Sequence, residues 1–298
     1  MTGDQNQIRA QLQTKLRRLA RSRSEDFQRM LLRFAWERFL FRLGESSARE
    51  AYVLKGGALF FLWTEEPYRT TRNLDFTGYG RPEELRESLL EIFEAVGDDG
   101  LFFDGQSLRI EPIAATPGYG GLRARFEVYL GKAKVTLQLD VGYGDAVEAE
   151  DAFYPVLLDH AAPKIRVYSK PAFVAEKFEI LVRLGVVTSR MKDFFDLMVL
   201  SRDFEFDGSL LVKATENTFR RRHTPLGESI PTTMTPDYYT REDTRAYWAT
   251  FLVKNQVEDN ETREFSRVGQ TLQDFLLPIL PGSATARGKH WPAGGPWT

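Results

Sequence analysis

Hydrophobic positions recur at two periods along this chain, and the changes of period divide it. From residue 5 to 43 the spacing is helical, with Phe27, Met30, Leu31, Phe34 and Phe41 on one stripe. Between 50 and 150 the pattern alternates. Arg72-Asn73-Leu74-Asp75-Phe76 and Val135-Thr136-Leu137-Gln138-Leu139-Asp140-Val141 put every second residue on an apolar face, as extended strands require. A short apolar run over Tyr52 to Leu54 predicts another strand. So do runs at 108–113 and 122–130, with the turn Pro117-Gly118-Tyr119-Gly120-Gly121 between them. Pro82 opens a helix over about 82–96. After Pro163 the helical period returns and lasts to about 280, broken by a Pro/Thr-rich loop near 223–237. Within it, Pro171 suits a first turn and Gly185 a C-terminal end, around the stripe Val174, Phe178, Leu181 and Leu184 or Gly185. Ser189 reads as an N-cap ahead of Met191, Phe194 or Phe195, and Met198. The Gly/Pro-rich stretch 281–298 has little periodicity and predicts disorder. The expected organisation is therefore a helical segment at 1–45, an α+β core domain at 46–160, a helical domain at 161–280 and a disordered tail. No internal repeat is visible.

Alternation assigns faces. Asp75 shares its face with Asn73, and Asp140 shares its face with Thr136 and Gln138. If the two strands are neighbours, the aspartates converge on one exposed surface. Two hard-oxygen carboxylates suit Mg2+, which takes one or two protein carboxylates plus substrate phosphates. The ordinary alternative is a pair of solvated strand aspartates. Lys55-Gly56-Gly57 stands between a strand and a helical run, where backbone N–H groups can approach a phosphate. The pair lacks both the GxxxxGK[ST] and the GxGxxG spacing, so a plain corner explains it equally well. Lys177 lies near the edge of its helix's apolar stripe, where a surface Lys pairs with Glu176 or Glu179. Lys192 and Asp196 are four apart and able to pair, with Asp193 one step round.

The order Gly-Gly, helix, Asn-x-Asp, distant strand Asp resembles the nucleotidyltransferase fold of the DNA polymerase β superfamily. More closely, the chain resembles the AbiEii/MenT-type nucleotidyltransferase toxins. The residues that carry this are Val53-Leu54-Lys55-Gly56-Gly57-Ala58-Leu59, Arg69-Thr70-Thr71-Arg72-Asn73-Leu74-Asp75-Phe76, Gln138-Leu139-Asp140-Val141-Gly142-Tyr143-Gly144-Asp145, Ala175-Glu176-Lys177 and Ser189-Arg190-Met191-Lys192-Asp193-Phe194-Phe195-Asp196-Leu197. They run in family order from about residue 50 to 208. The Ser-Arg-Met-Lys-Asp block is the most specific and Gly-Gly the least.

The resemblance implies an α+β fold: a polymerase-β-like nucleotidyltransferase sheet with flanking helices, then a helical C-terminal domain. It implies Mg2+-dependent transfer of NMP from an NTP to an acceptor hydroxyl, with RNA, by resemblance the tRNA 3′ end, as acceptor. It also implies the toxin role of a type IV toxin–antitoxin (abortive infection) system, with a cognate antitoxin as partner. Carried over residue by residue, the catalytic groups are Asp75, Asp140 and Lys177, with Asp193 and Asp196 both claiming the family's later aspartate. Asn73, Asp75 and Asp140 would hold the metal. Lys55, Gly56, Gly57, Arg72, Arg190 and Lys192 would meet the nucleotide. One position departs from the family pattern: its metal motif reads Asp-x-Asp, and Asn73 stands first here. An amide oxygen ligates a hard cation without bringing charge, so either metal affinity falls or the role shifts wholly to Asp75 and Asp140. Asn73 favours a non-catalytic nucleotide-binding module as an alternative, and transfer to a protein side chain is another.

Composition is compatible with this. The 298 residues include no Cys, which excludes disulfides and thiolate metal sites. The three histidines are far apart in sequence. No run is long enough to span a membrane and no signal-peptide core is visible, so a cytoplasmic protein is expected. The net charge of −2 draws no nucleic acid globally. Cations nevertheless cluster at Arg9, Lys15, Arg17, Arg18, Arg21 and Arg23, and again at Arg220, Arg221 and Arg222. Such runs track phosphates or are simply solvated helix faces.

Overall fold

A computed structural model describes the chain apart from residues 1–2, 65–67, 70, 96, 98, 114–119, 145–147, 188 and 226–229, and apart from the side chains of 3–5 and 260. Thr70, Asp145 and the Pro117 to Tyr119 part of the expected turn lie outside the described residues. The chain forms two compact units. One comprises Met1–Pro67 and Thr71–Tyr168, the other Tyr68–Thr70 and Ser169–Thr298.

The first unit opens with helices α1 (Gly3–Ser22) and α2 (Phe27–Glu45). The expected single helical stretch is broken between them. Ser24 adopts a left-handed φ of 52°, and the Asp26 side chain accepts from the N–H groups of Gln28 and Arg29 to start α2. The short side chains at these positions supply the turn and the cap that interrupt the period. β1 (Tyr52–Lys55) leads through a 3-10 turn at Gly56–Leu59 into a single helical turn, α3 (Phe60–Trp63). There follow β2 (Leu74–Gly78), α4 (Leu85–Glu94) after a 3-10 turn at Pro82–Glu84, β3 (Leu101–Ile113), β4 (Gly121–Leu130), β5 (Ala133–Tyr143), β6 (Ala149–Phe153) and β7 (Lys164–Tyr168). The seven strands form one mixed sheet in the order β3-β4-β5-β2-β1-β7-β6. β2 runs parallel to β5, and β1 parallel to β7.

β7 corrects the expectation of helix directly after Pro163. Ile165 and Val167 are buried and Arg166 is half-buried, an alternation too short to stand out from the helical run that follows. The sheet's apolar phase packs on α2, where the Phe39 ring lies 6.4 Å from Phe76 and 5.9 Å from Phe126. Leu74, Phe76, Leu137, Leu139 and Val141 are buried on that side. The alternate residues, Asp75 and Asp140 among them, point to the other face and are half-buried.

The second unit contains α5 (Lys170–Leu184), α6 (Met191–Asp203), β8 (Phe206–Asp207), α7 (Gly208–Arg221), α8 (Pro236–Thr240), α9 (Glu242–Asn255), α10 (Phe265–Leu276) and β9 (His290–Trp291). α5 has the punctuation read from sequence: Ser169 caps it, Pro171 sits in the first turn, and Gly185 ends it at φ 55°. Ser189 is not the cap of α6. That position is Arg190, which makes no side-chain capping bond. Aromatic rings fill this core, with Phe194 5.2 Å from Phe265 and Trp248 4.9 Å from Phe265. The stretch 281–298, expected to be disordered, is held in this core. β9 pairs with β8, Trp291 is buried and donates to the Ser201 carbonyl at 2.7 Å, and Trp297 stacks on Phe275. Two tryptophans anchor a segment whose composition otherwise lacks periodicity. No helix among the described residues is long and apolar enough to cross a membrane.

Candidate active site

Four neighbouring strands of the first unit bring one residue each into a single row. Arg123 on β4 is opposite Asp140 on β5; Asp140 is opposite Asp75 on β2; Asp75 is opposite Lys55 on β1. Strand pairing puts opposed residues on a common face, so the row reads cation, anion, anion, cation. The two aspartates are bridged by Asn73, whose Nδ2 donates to Asp75 Oδ1 at 2.8 Å and to Asp140 Oδ2 at 3.1 Å. Arg123 grips Asp140 as a fork, Nε to Oδ1 and Nη2 to Oδ2, both at 2.8 Å. Gln138 adds a donor to Asp140 Oδ1 at 3.2 Å. The bond to Asp140 raises the Arg123 pKa further above its usual value.

Gly56 stands under the row. Its φ is 73°, and a Cβ placed there would lie 2.3 Å from Asp75 Oδ2. Glycine is needed here twice, for the left-handed backbone and for the close approach to a carboxylate. The sequence suggested that a helix beginning at Gly-Gly would face a phosphate. The segment is instead a 3-10 turn and one helical turn, and its local role is to make room for Asp75. Gly57 is buried in the same turn. Lys55 also places its ammonium 5.6 Å from the centre of the Tyr168 ring. Arg72 is exposed beside Asn73.

The donor chemistry fits a hard divalent cation. Asp75 and Asp140 supply two carboxylates, and the Asn73 amide, turned over, presents its oxygen to the same point. Among the described residues no third acidic or imidazole group joins them to make a larger cluster. A cation there would be held by a small protein ligand set and by substrate phosphates, in competition with Arg123 for Asp140.

A second charged cluster is built wholly within the second unit. Lys177 on α5 is buried, and its Nζ lies 2.6 Å from Asp193 Oδ1 and 2.7 Å from Asp196 Oδ2. Both aspartates are fully buried on α6. Arg69 forks onto Asp196 at 2.6 and 2.7 Å, and Arg190 Nε meets Asp193 Oδ2 at 2.5 Å. Burial disfavours both carboxylates as anions, yet the charges of Lys177 and Arg190 hold Asp193 well below the usual carboxylate range. Arg69 and Lys177 do the same for Asp196. For Lys177 burial favours the neutral amine, but Asp193 and Asp196 outweigh it and raise its pKa. Its ammonium also lies 4.7 Å from the Phe173 ring centre.

Sequence spacing allowed Lys192 to pair with Asp196. Asp196 faces Lys177 and Arg69, while Lys192 is exposed and lends Asp193 a favourable charge. Nor does Lys177 rely on its helix neighbours. Glu179 is buried in a separate group with Arg183, Arg222 and Thr224. Arg123 and Arg69 are the residues that sequence reasoning missed as members of these clusters. Arg123 shows only as a cation in the polar phase of a predicted strand. Nothing in local spacing marks Arg69, whose partner is 127 residues away.

A family model described as nucleotidyl transferase AbiEii toxin, type IV TA system, matches residues 38–274. No curated protein sequence matches. Among solved structures, JHP933 from Helicobacter pylori superposes with a TM-score of 0.50 at 15% identity, over 87% of this chain and 95% of that one. MenT4, a nucleotidyltransferase toxin from Mycobacterium tuberculosis H37Rv, gives a TM-score of 0.47 at 15% identity, over 92% of this chain and 99% of that one.

Proposed function

The chain belongs to the AbiEii nucleotidyltransferase toxin family of type IV toxin–antitoxin systems, and from that premise we propose that it moves NMP from an NTP to the 3′ hydroxyl of an RNA, with Mg2+ as metal and tRNA as acceptor. The family implies an NTP substrate and an antitoxin partner. The observation that carries the finer reading is the Asp75–Asp140 pair, opposed in one parallel ladder and bridged by Asn73. When bound, Mg2+ would neutralise charge on the triphosphate and the departing pyrophosphate. Asp75 and Asp140 would hold it, with the Asn73 amide as a neutral third ligand.

The acceptor oxygen attacks the α-phosphorus, the bond to the bridging oxygen of the β-phosphate breaks, and pyrophosphate leaves. The hydroxyl proton passes to one of the two aspartates. Lys55 adds positive charge at the end of the carboxylate row, and Gly56 keeps Asp75 in place. In the second unit Lys177, Arg69 and Arg190 bring three cations against the two carboxylates of Asp193 and Asp196. That excess suits a phosphate, with the exposed Lys192 as a further contact in the same unit; in the first unit the exposed Arg72 and the backbone near Gly57 are the candidate nucleotide contacts.

The test is incubation with each labelled NTP, total RNA and Mg2+, followed by RNase treatment of the product. Label on RNA that is lost on RNase digestion, absent with Asp75→Ala, is the expected result. Label that survives RNase would move the acceptor to a protein. Full transfer by Asp75→Ala would overturn the role of the carboxylate pair.

A further inference from the structure

The two basic runs of the sequence have different fates in the fold. In the run Arg220 to Arg222, Arg222 is half-buried against Glu176 at 3.2 Å and Glu179 at 2.8 Å, so that charge is taken up in an internal ion pair. The run on α1 has no such use. Leu12, Leu16 and Ala20 bury one side of this helix. At 100° per residue Lys15, Arg17, Arg18 and Arg21 gather on the other, and all four are exposed. Lys15, Arg18 and Arg21 have no ion-pair or hydrogen-bond partner among the described residues, and Arg17 lies over the Phe27 ring at 4.1 Å. Residues 5–24 contain six cations and no acid, in a chain whose net charge is −2. Like charges three and four apart on one helix repel, so this arrangement costs the free protein stability and returns nothing within it.

The helix is also fixed in place. Arg9 Nε donates to the Gly100 carbonyl at 3.1 Å, and Gln13 donates to the Leu130 carbonyl at the turn between β4 and β5. Asp140 is seven residues along β5 from Ala133, which at about 3.3 Å per residue puts it about 23 Å from that end of the strand. A mononucleotide bound at Asp140 does not span that distance. A folded polynucleotide does.

We propose that the exposed face of α1 is a docking surface for the phosphate backbone of the acceptor RNA, an inference that rests on RNA being the acceptor. Charge complementarity selects the partner: exposed cations along one helix face with no acid among them match a polyanion. The contacts would be sequence-independent and salt-sensitive.

The test compares the full chain with a Lys15→Gln/Arg18→Gln/Arg21→Gln variant, using unfractionated tRNA and a salt series. The variant is expected to bind about tenfold or more weakly at low salt. Its slope of log affinity against log salt should be shallower by about 2, since each phosphate contact contributes about 0.7–0.9. Free NTP binding and the melting temperature should not fall. Unchanged tRNA affinity and slope in the variant, with label transfer to RNA intact in the parent, would overturn the docking surface and leave the acceptor reading standing. A parent that binds no tRNA would overturn both. Binding to anionic vesicles that falls in the variant while tRNA affinity is kept would assign the face to a membrane surface and overturn the proposal.

Discussion

Asp140 accepts from four donor atoms: two of Arg123, one of Asn73 and one of Gln138. A divalent cation approaching it must displace part of this set, and Arg123 is the only charged member. Replacing Arg123 with Met should therefore tighten Mg2+ or Mn2+ binding, by about fivefold to tenfold given partial solvent screening. Calorimetric titration reads this directly, and equal or weaker binding would remove Arg123 as a competitor. Asn73→Asp should tighten binding by another route, adding a charged group where the proposed site would offer a neutral ligand. Asp75→Ala should cut nucleotide transfer by about 100-fold or more while changing stability by only about 0.5 kcal/mol, because Asp75 is half-buried and, in the proposed mechanism, would act on bound charge. Gly56→Ala should lower both, since the left-handed backbone alone costs a residue with a Cβ about 1–2 kcal/mol and the added methyl displaces Asp75. The carboxylate pair was legible in the sequence because a period of two fixes which side chains share a face. Arg123 was not. Its membership depends on the register of β4 against β5, which no local pattern states.

The pairing of α5 with α6 turns a surface reading of Lys177 into a buried one. Lys177→Ala looks harmless to folding when the residue is placed at the edge of an apolar stripe. With its ammonium between Asp193 and Asp196, removal leaves two buried carboxylates short of charge. Breaking one partner out of a buried ion pair costs about 3–5 kcal/mol, and Lys177→Met should lower the melting temperature accordingly. Arg69 and Arg190 soften the loss, so a smaller fall is expected than for a lone pair. A melting temperature equal to the parent's would mean that the network adds nothing to stability. The C-terminal stretch makes the converse case. Gly and Pro there suggested disorder, yet Trp291→Ala should cost about 3–5 kcal/mol because its ring is buried and its indole N–H is satisfied by Ser201. Periodicity found the long helices and the alternating strands. It failed at β7 and β9, five and two residues long, where tertiary pairing rather than pattern decides.

Across the whole chain, the two units should respond to pH in opposite senses. In the first unit Glu37 on α2 is 1% exposed, accepts from the Leu157 N–H at 2.7 Å and lies 3.0 Å from Arg38. Burial raises its pKa from 4.5 to about 7. A carboxyl with a raised folded pKa favours folding while protonated, so its contribution is full below pH 4.5 and is lost as pH rises towards 7. A shift of that size corresponds to about 3 kcal/mol as an upper figure. In the second unit the folded pKa values of Asp193 and Asp196 are depressed. Their contribution is full above the ordinary carboxylate value of 3.8 and falls only as pH drops below it towards the folded values. Acidifying from pH 8 to 5 should thus raise the hydrogen-exchange protection factors of α2, corrected for the intrinsic rate, and leave those of α6 unchanged, while a further step to pH 3 should lower those of α6. Neither trend was visible in a net charge of −2, because each arises from burial and not from the count of charges. Glu37→Gln isolates the first effect. The amide is neutral at every pH, so the α2 protection factors, rates corrected for intrinsic exchange, should become flat between pH 5 and 8 and higher than the parent's at pH 8. Protection in Glu37→Gln that still rises on acidification over that range would place the titrating group elsewhere in the unit.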